Sequence, residues 1–364
     1  MTGGAAEYSP PDTAGEPADV ARWSFAQWSR ALSRFRTPSN GRAVFELAAT
    51  LIPFVGVWAL ARLAFAEGFY WAAIPLIVVA SGLIVRLFLI QHDCGHGAFF
   101  SSRRANDALG RMLGVLTLTP YAHWRRAHAG HHATHGNLDR RGVGDVDTLT
   151  VAEYLARPRS GRWRYRLYRH PLVLFGIGPA YVFLLTNRVP AGFMRDGWQP
   201  WLSTMGTNLA IVVVAALLVQ FFGVGALLMQ VAIMLLAAVI GVWLFYVQHQ
   251  FELSYWTAST AWSSRDAALK GSSHYALPPV IRWFTANIGV HHVHHLSSRI
   301  PFYRLPDVLK AYPALTETNR LTLRESFACA TLALWDEHRG RLIRFADLAK
   351  LSARQEPLHG SGHA

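Results

Sequence analysis

The stretch WLSTMGTNLAIVVVAALLVQFFGVGALLMQVAIMLLAAVIGVWLFYV, residues 201–247, contains no charged residue. A helix needs about 20 consecutive apolar residues to cross the hydrocarbon core of a bilayer. The short segment 223–225, which holds two glycines, divides the stretch into 201–222 and 226–247, and each part exceeds that length. We therefore predict two transmembrane helices joined by a tight turn.

A second pair of apolar segments lies earlier in the chain. Residues 47–66 and 69–90 are long enough to cross the membrane, and only Glu67 and Gly68 separate them. Each segment carries one arginine, Arg62 or Arg86, near its end, where a long side chain can extend to the polar interface. The sequence thus predicts an all-α integral membrane protein whose four transmembrane helices form two hairpins.

The other segments are too short or too polar to cross a membrane. Residues 109–121 and 171–185 favour interfacial, re-entrant or buried helices. The opening stretch MTGGAAEYSPPDTAGEP is polar and rich in proline and glycine, which predicts a disordered tail and not a signal peptide. Aromatic residues alternate with arginines over 21–36, which predicts an amphipathic helix at the membrane surface. We expect residues 1–40 to precede one domain that covers 41–364.

Arginines cluster between the two predicted hairpins, as in WRRAH and GRWRYRLYR. Because loops rich in lysine and arginine stay on the cytoplasmic side, both termini and a helical cap are predicted to lie there. Membrane topology and anionic headgroups account for the formal net charge of +13. We therefore do not expect a nucleic-acid partner.

Histidine is the most informative polar residue in the chain, which contains 17 of them. Two follow the second predicted span in QHDCGHG, at spacing i, i+4, and share one face if the helix continues. The pattern HxxHH occurs in AHAGHH and again in VHHVHH, and one more histidine follows the fourth span in YVQHQ. The candidate ligands are His92, His96, His128, His131, His132, His249, His291, His294 and His295.

The predicted topology brings these nine histidines to one side of the membrane. Imidazole is a good ligand for iron, zinc, copper and nickel, and nine ligands are too many for one ion. We therefore predict a two-ion centre in the cytoplasmic cap. Because neutral imidazoles leave the positive charge of the ions uncompensated, such a centre favours O₂ binding.

The remaining histidines lie outside this spacing and are interpreted as ordinary residues: His123, His135, His170, His274, His292, His338, His359 and His363. His292 adjoins a candidate ligand but is expected to face elsewhere on its helix. The two cysteines, Cys94 and Cys329, are far apart in sequence and predict reduced thiols, without an iron–sulfur site.

Three stretches together carry a family resemblance: HDCGH, TPYAHWRRAHAGHH and NIGVHHVHHLSSRIPFYRLP. They resemble the three histidine boxes of the membrane fatty acid desaturases, and most closely the bacterial and plant Δ12 (omega-6) enzymes. The resemblance covers most of the chain from about residue 47. It implies a non-haem di-iron centre bound by the histidines of the boxes.

The resemblance also implies a reaction. With O₂ and two electrons, the family's enzymes remove hydrogens from two adjacent carbons of an acyl chain, leaving a cis double bond and water. The substrate is implied to be an acyl lipid or an acyl thioester, in a bacterial inner membrane. His249 occupies the place, at the cytoplasmic end of the fourth span, where related enzymes supply a further ligand.

Other polar and aromatic residues are candidates for supporting roles. Asp93, and either Asp145 or Asp147, can accept a hydrogen bond from a ligand's second ring nitrogen and orient it. Because hydrogen abstraction needs a dry cavity that holds the acyl chain in place, residues directly before the second box are expected to line it. They are Thr119, Tyr121 and Trp124.

The electrons must come from a separate carrier. The sequence has no HPGG stretch of a fused cytochrome b5 domain, no cysteine cluster, and no GxGxxG in a strand–turn–helix context. A small carrier such as ferredoxin is implied. The arginines at Arg125, Arg126 and residues 162–166 could bind an acidic carrier, although lipid headgroups explain the same charges.

Three alternatives stay open at this point. The same oxidant can hydroxylate an acyl chain, or form an epoxide or a triple bond, and spacing does not separate these outcomes. Carotenoid hydroxylases and ketolases also use histidine boxes, although theirs look less like HDCGH. A metal transporter would also place histidines near membrane spans, but it would be expected to have polar ligands inside them or a histidine-rich loop.

Overall fold

The computed structural model describes residues 22–142, 144–348 and 350. The described chain is mostly helical. Its α-helices, in chain order, are α1 (Phe25–Ala31), α2 (Asn40–Ala66), α3 (Tyr70–His96), α4 (Arg103–Leu116), α5 (Tyr121–Thr134), α6 (Val151–Ala156), α7 (Arg159–Tyr168), α8 (Gly178–Leu184), α9 (Trp198–Phe222), α10 (Val224–His249), α11 (Ser264–Gly271), α12 (Pro279–Phe284), α13 (His291–Leu296), α14 (Leu305–Ala311) and α15 (Leu323–Cys329).

Short elements complete the described chain. The strands are β1 (Leu149–Thr150), β2 (His274–Ala276), β3 (Arg320–Thr322), β4 (Leu332–Asp336) and β5 (Arg341–Arg344). A π-helical turn covers Val173–Ile177. The 3₁₀ turns are Ser33–Phe35, Leu138–Arg140, Thr186–Arg188, Phe302–Arg304, Pro313–Thr316 and Phe345–Asp347.

Four helices, α2, α3, α9 and α10, are long and apolar enough to cross a membrane. This agrees with the predicted number of spans. All four are longer than predicted, and α3 and α10 continue past their apolar segments to end at His96 and His249. The candidate ligands at these ends therefore belong to rigid helices and not to loops.

Helix α3 is at the centre of the helical arrangement. It packs against α2 on one side and α10 on the other, and α4 crosses it near its C-terminal end. Its buried Ser81 hydroxyl donates to the carbonyl oxygens of Ile77 and, across the interface, Ile233. In contrast, Thr204 is the one fully buried residue of α9, so this helix packs at the periphery of the arrangement.

The short apolar segments take two forms. Residues 109–121 fall mainly within α4, whose buried residues Gly110, Leu113 and Gly114 pack against neighbouring helices. Residues 171–185 form the π-helical turn and α8, which follow α7 at a bend of 55°. This bent pair has the length and composition of a broken span or a re-entrant segment. A re-entrant helix is one of the three forms predicted for this segment.

The described chain is mostly helical, as predicted, but it also contains two small sheets that the prediction of an all-α chain did not include. Strands β4 and β5 pair antiparallel, and β1 joins β4 in parallel. Strands β2 and β3 form a separate parallel pair. The sequence signal was LALWDEHRGRLIR, two short apolar segments separated by a polar turn, which is typical of a β-hairpin.

The N-terminal amphipathic segment forms α1, which begins at Ser24 with a capping box closed by Gln27. Its Trp28 is buried, with its ring 4.9 Å from that of Trp23 and 5.5 Å from that of Tyr312. The face of α1 that carries Trp28 therefore packs against the rest of the protein. The predicted disordered tail, and His359 and His363, lie outside the described residues.

The arginines of α2 and α3, Arg62 and Arg86, both have partners inside the protein. Arg62 donates to the carbonyl oxygen of Phe222 from two guanidinium nitrogens, at 2.8 and 3.2 Å. Arg86 is buried in the middle of the extended α3, where its guanidinium pairs with the Glu46 carboxylate and donates to the Thr50 hydroxyl at 3.0 Å. The prediction that Arg86 extends to the interface is wrong, because α3 continues beyond it.

Breaking the Arg86–Glu46 pair leaves a buried carboxylate without its main partner. We expect Arg86→Met to lower the free energy of unfolding by about 3–5 kcal/mol, the usual cost of breaking a buried ion pair. The matched control is Arg42→Met, because Arg42 bonds the same carboxylate from a side chain that is 54% exposed. That change should cost less than about 1 kcal/mol.

Thermal unfolding of detergent-solubilised protein, followed by fluorescence-detected size exclusion, measures both effects. Adding Glu46→Gln to Arg86→Met should recover part of the loss, because it removes the unpaired charge. Fully additive losses from the two changes would contradict a direct pair.

Candidate metal centre

Nine histidine rings form two adjacent groups. In the first group, His92, His96, His128, His132 and His294 direct ring nitrogens to one point, and these atoms all lie within 4.8 Å of one another. The second group is connected through Nε2 contacts among His131, His249, His291 and His295. All nine histidines predicted as ligands from the sequence thus lie in one of the two groups.

Helical periodicity explains how each HxxHH motif serves both groups. Residues i and i+4 lie on one helix face, and residue i+3 is displaced around the helix. On α5, His128 and His132 point to the first group and His131 points to the second. On α13 the roles are reversed, with His291 and His295 in the second group and His294 in the first.

The first group has a geometry that hydrogen bonds do not explain. The Nε2 atom of His128 lies 3.0 Å from that of His92 and 3.1 Å from those of His96 and His132. A ring nitrogen carries one hydrogen or one lone pair, so it takes part in only one in-plane hydrogen bond. The other contacts bring lone pairs together, which a cation between them would stabilise.

The separations also fit the size of a metal ion. Two nitrogens bound at right angles, each about 2.1 Å from the same ion, are about 3.0 Å apart. In the second group, the Nε2 atom of His249 lies 3.1 Å from that of His131 and 3.0 Å from that of His291. The Nε2 atom of His295 is 3.2 Å from that of His291. Both groups therefore suit an ion held by imidazole nitrogens.

Two aspartates contact the outward-facing ring nitrogens. Asp145 accepts a hydrogen bond from Nδ1 of His131. Asp93 Oδ1 is 3.3 Å from Nδ1 of His92, and its other oxygen accepts from the backbone N–H of Phe302 at 2.7 Å. Of the two downstream aspartates considered from the sequence, Asp145 is the one beside a ligand, whereas Asp147 is exposed and its backbone N–H donates to the hydroxyl of Tyr168.

Desolvation keeps three imidazoles of the first group neutral. Desolvation, and to a smaller extent neighbouring imidazoles, lower the pKa of His128, His132 and His294 well below its usual value of 6.5. Burial raises the pKa of the Asp145 carboxyl, but His131 and His135 outweigh it, and the pKa is below its usual range. At neutral pH this gives a set of neutral nitrogen donors beside an ionised aspartate, as metal binding requires.

His135 is the site residue that sequence reasoning missed. It was interpreted as ordinary, but it is buried, and its Nε2 donates to the Gly271 carbonyl at 2.7 Å and lies 3.1 Å from Nδ1 of His249. A Cβ on Gly271 would meet that Nε2 at 2.8 Å, so glycine permits this approach. The sequence did contain a pattern that could have indicated His135. It follows His131 at spacing i, i+4, the same spacing that separates His92 from His96.

The other described histidines lie outside both groups. His170 and His338 are exposed, and His123 packs its ring 5.4 Å from that of Phe193. His292 is fully buried, with its ring 5.7 Å from that of His274, on a different side of α13 from the ligands. It is therefore a core residue and not a solvent-facing one.

An apolar cavity of about 310 Å³ adjoins the histidines, and we call it the site cavity. It reaches His92, His128 and His291, and so touches both groups. Its walls come mainly from α3, α8 and α10, including Ile84, Phe88, Phe183, Ala237, Ala238 and Gly241. Such a space suits a long apolar substrate that extends to the metal centre.

Two of the three predicted lining residues border this cavity. Thr119 and Trp124 do so, and the Trp124 indole stacks on the His128 ring at 4.8 Å. Tyr121 is not among the described residues that line the cavity. It is buried between α3 and α4, where its hydroxyl contacts the Cys94 carbonyl at 2.9 Å and Asp107 at 3.1 Å.

Comparison with known proteins agrees with this centre. The sequence model of the fatty acid desaturase family matches residues 69–327, more than half of the chain. A fatty acid desaturase of Bacillus subtilis is 42% identical over 334 residues, which cover 91% of this chain and 94% of the relative.

More distant relatives carry more specific names. An sn-1 acyl-lipid omega-3 desaturase (ferredoxin) of Synechocystis is 30% identical over 69% of this chain and 70% of its own length. An acyl-lipid omega-3 desaturase (cytochrome b5) of the endoplasmic reticulum of Arabidopsis thaliana is 28% identical over 66% of this chain and 64% of its own length. On the match to the family model and the extent of the Bacillus similarity, this chain belongs to the fatty acid desaturase family and is an oxidoreductase of that family.

Proposed function

We propose that this protein is an O₂-dependent desaturase that forms a cis double bond in the acyl chain of a membrane lipid or an acyl thioester. One observation carries the proposal: two groups of converging imidazoles adjoin an apolar cavity that touches both. A metal store or transporter needs the ligands but has no use for an apolar cavity of this kind beside them.

Two iron ions are the proposed cofactor. The ligands are His92, His96, His128, His132 and His294 for one ion, and His131, His249, His291 and His295 for the other. Bound there, iron would supply the O₂ activation and redox chemistry that hydrogen removal from an unactivated carbon needs.

The protein's own residues orient the ligands and hold the substrate. Asp145 accepts from Nδ1 of His131, which fixes the tautomer whose Nε2 lone pair faces inward. Trp124, stacked on His128, closes the cavity beside the first group. Apolar walls exclude water and hold two adjacent carbons near both groups, which hydrogen removal requires.

The proposed topology places the histidines on the cytoplasmic side. Only residues 67–69 separate α2 from α3, and only Gly223 separates α9 from α10, so each pair is proposed to form a hairpin. The histidine-bearing ends of α3 and α10 lie away from these turns, and the arginine-rich segments follow them. By the positive-inside rule that side, with both termini, faces the cytoplasm of a bacterial inner membrane.

A separate electron carrier is part of the proposal. One relative is named for ferredoxin and another for cytochrome b5, so the family uses more than one carrier. We propose a small acidic protein such as ferredoxin for this chain. The arginines at Arg125, Arg126 and residues 162–166 offer it complementary charge.

The position of the double bond is the finer part of the proposal. The histidine boxes favour the Δ12 (omega-6) position, whereas several relatives are named omega-3 desaturases. Mass spectrometry of dimethyl disulfide adducts locates the double bond directly. It also separates a double bond from a hydroxyl group.

Lipid profiling of a host that makes only saturated and monounsaturated acyl chains tests the reaction. Expression of the wild type should add a new unsaturated product. His294→Ala removes a ligand of the first group and should abolish that product, while His338→Ala, at an exposed histidine, should leave it unchanged. An oxygenated product from the wild type would contradict desaturation, and zinc alone in purified protein would contradict a di-iron centre.

The two aspartates form a matched pair for the next test. Asp145→Asn weakens the acceptor for His131 Nδ1, and we expect about 10–100-fold weaker metal binding or activity. Asp147→Asn, two residues away and exposed, should change neither. Iron content and product per folded protein measure both, and equal losses would argue against the orienting role of Asp145.

The paired histidines at the start of α13 give a third test. His291→Ala removes a ligand of the second group and should reduce iron content and abolish the product. His292→Ala should keep its iron and much of the activity, although the cavity it creates should lower thermal stability. Loss of iron from the His292 variant at unchanged folded yield would overturn the assignment.

A further inference from the structure

A second apolar cavity lies farther from the histidines, and we call it the distal cavity. Its volume is about 350 Å³, and its walls come from α2, α4, α8, α9 and α10, including Phe54, Trp58, Leu116, Leu184, Ile211 and Leu218. Among the described residues, one side chain borders both this cavity and the site cavity. It is Met234 of α10.

One face of α10 connects the two cavities. The site cavity is bordered along this helix by Met234, Ala237, Ala238, Gly241, Val242, Leu244, Phe245 and Gln248. The distal cavity continues the same stripe in the other direction with Leu227, Gln230, Val231 and Met234. Because residues three and four apart share a helix face, the cavities lie in line along one side of α10.

The distances along the helix fit a chain-shaped substrate. At 1.5 Å per residue, the stretch from Met234 to Gln248 spans about 21 Å, and the stretch from Leu227 to Met234 spans about 10 Å. Ala237, Ala238 and Gly241 leave space in the site cavity next to Met234, because none of them has a side chain larger than a methyl group. Met234 is the first large side chain on that face beyond them, and it stands where one cavity ends and the other begins.

The distal cavity can accept more apolar chain. Most of its lining residues are apolar, and its polar Gln230 accepts a hydrogen bond from the Trp58 indole at 3.0 Å. Val55 and Val214 at its margin are exposed, so it borders the region that faces lipid. Met234 alone separates the two cavities among the described lining residues. Because a methionine side chain is unbranched and flexible, it can adapt to what lies on either side.

We propose that Met234 is the end wall for the acyl chain and limits how many carbons can extend beyond the new double bond. The proposal rests on the desaturase reaction proposed above. The reacting carbons lie beside the histidines, and the part of the chain toward the methyl end extends along α10 as far as Met234. Chain-length selectivity is then set by this residue.

Two substitutions with opposite effects test the proposal. Met234→Ala joins the two cavities and should raise the ratio of products from longer chains to products from shorter ones by about tenfold, the usual effect of one or two methylenes in an apolar pocket. Met234→Phe fills the end of the site cavity and should lower the same ratio. Cells fed palmitate, stearate or arachidate, or the cis-monounsaturated acids of the same lengths, supply substrates that differ by two carbons.

The matched control is Met229→Ala. Met229 is a buried methionine of the same helix and is not among the described residues that line either cavity. It should lose stability as any buried methionine does, without a change in the product ratio. Products are measured by mass spectrometry and normalised to folded protein from fluorescence-detected size exclusion.

The outcomes separate this proposal from the proposed reaction. If the wild type makes no double bond, the proposed reaction fails. If the wild type makes one and both Met234 variants keep its chain-length ratio, Met234 is not the end wall. A ratio that shifts equally in Met229→Ala would also overturn the proposal, because the effect would then reflect helix packing in general.

Discussion

Lone pairs of neighbouring imidazoles repel one another, yet His128 brings its Nε2 to within 3.1 Å of the Nε2 atoms of three other histidines. Desolvation lowers the pKa of His128 well below its usual value, so protonation of this ring does not relieve the repulsion at neutral pH. The proposed ions between the nitrogens would make the arrangement favourable. We therefore expect folding of the region around the histidines to be coupled to metal binding, while the surrounding elements hold the nine rings in place against their mutual repulsion.

Helices and buried contacts keep the nine histidine rings in position. Helices α3 and α10 pack along each other, and each ends on candidate ligands. The segment that follows α13 contacts the end of α3. The backbone N–H of Phe302 donates a hydrogen bond to Asp93, the neighbour of His92. The segment of polar and aromatic residues after the motif thus joins α13 to the end of α3.

The length of the apolar segments was sufficient to predict the four spans, and the spacing of the histidines was sufficient to identify the nine rings that lie together, although it did not divide them between the two groups. Contacts between distant segments were not predictable in this way. The Arg86–Glu46 pair joins two helices, His135 reaches Gly271 from another segment, and Tyr121 turns toward Cys94 and not into the cavity. The short strands were missed because their apolar segments are only a few residues long.

The two requirements of the proposed chemistry, charged metal ions and a dry substrate, would be met by different parts of the same helices. On α10 the polar end carries His249, while the apolar face farther along the helix borders the site cavity. Because a helix is rigid at 1.5 Å per residue, the spacing between His249 and Met234 fixes a distance of about 22 Å. Under the proposed assignment, residue spacing along one helix sets the depth available to a substrate, and a change of a single side chain on that face would alter the depth without moving the candidate ligands.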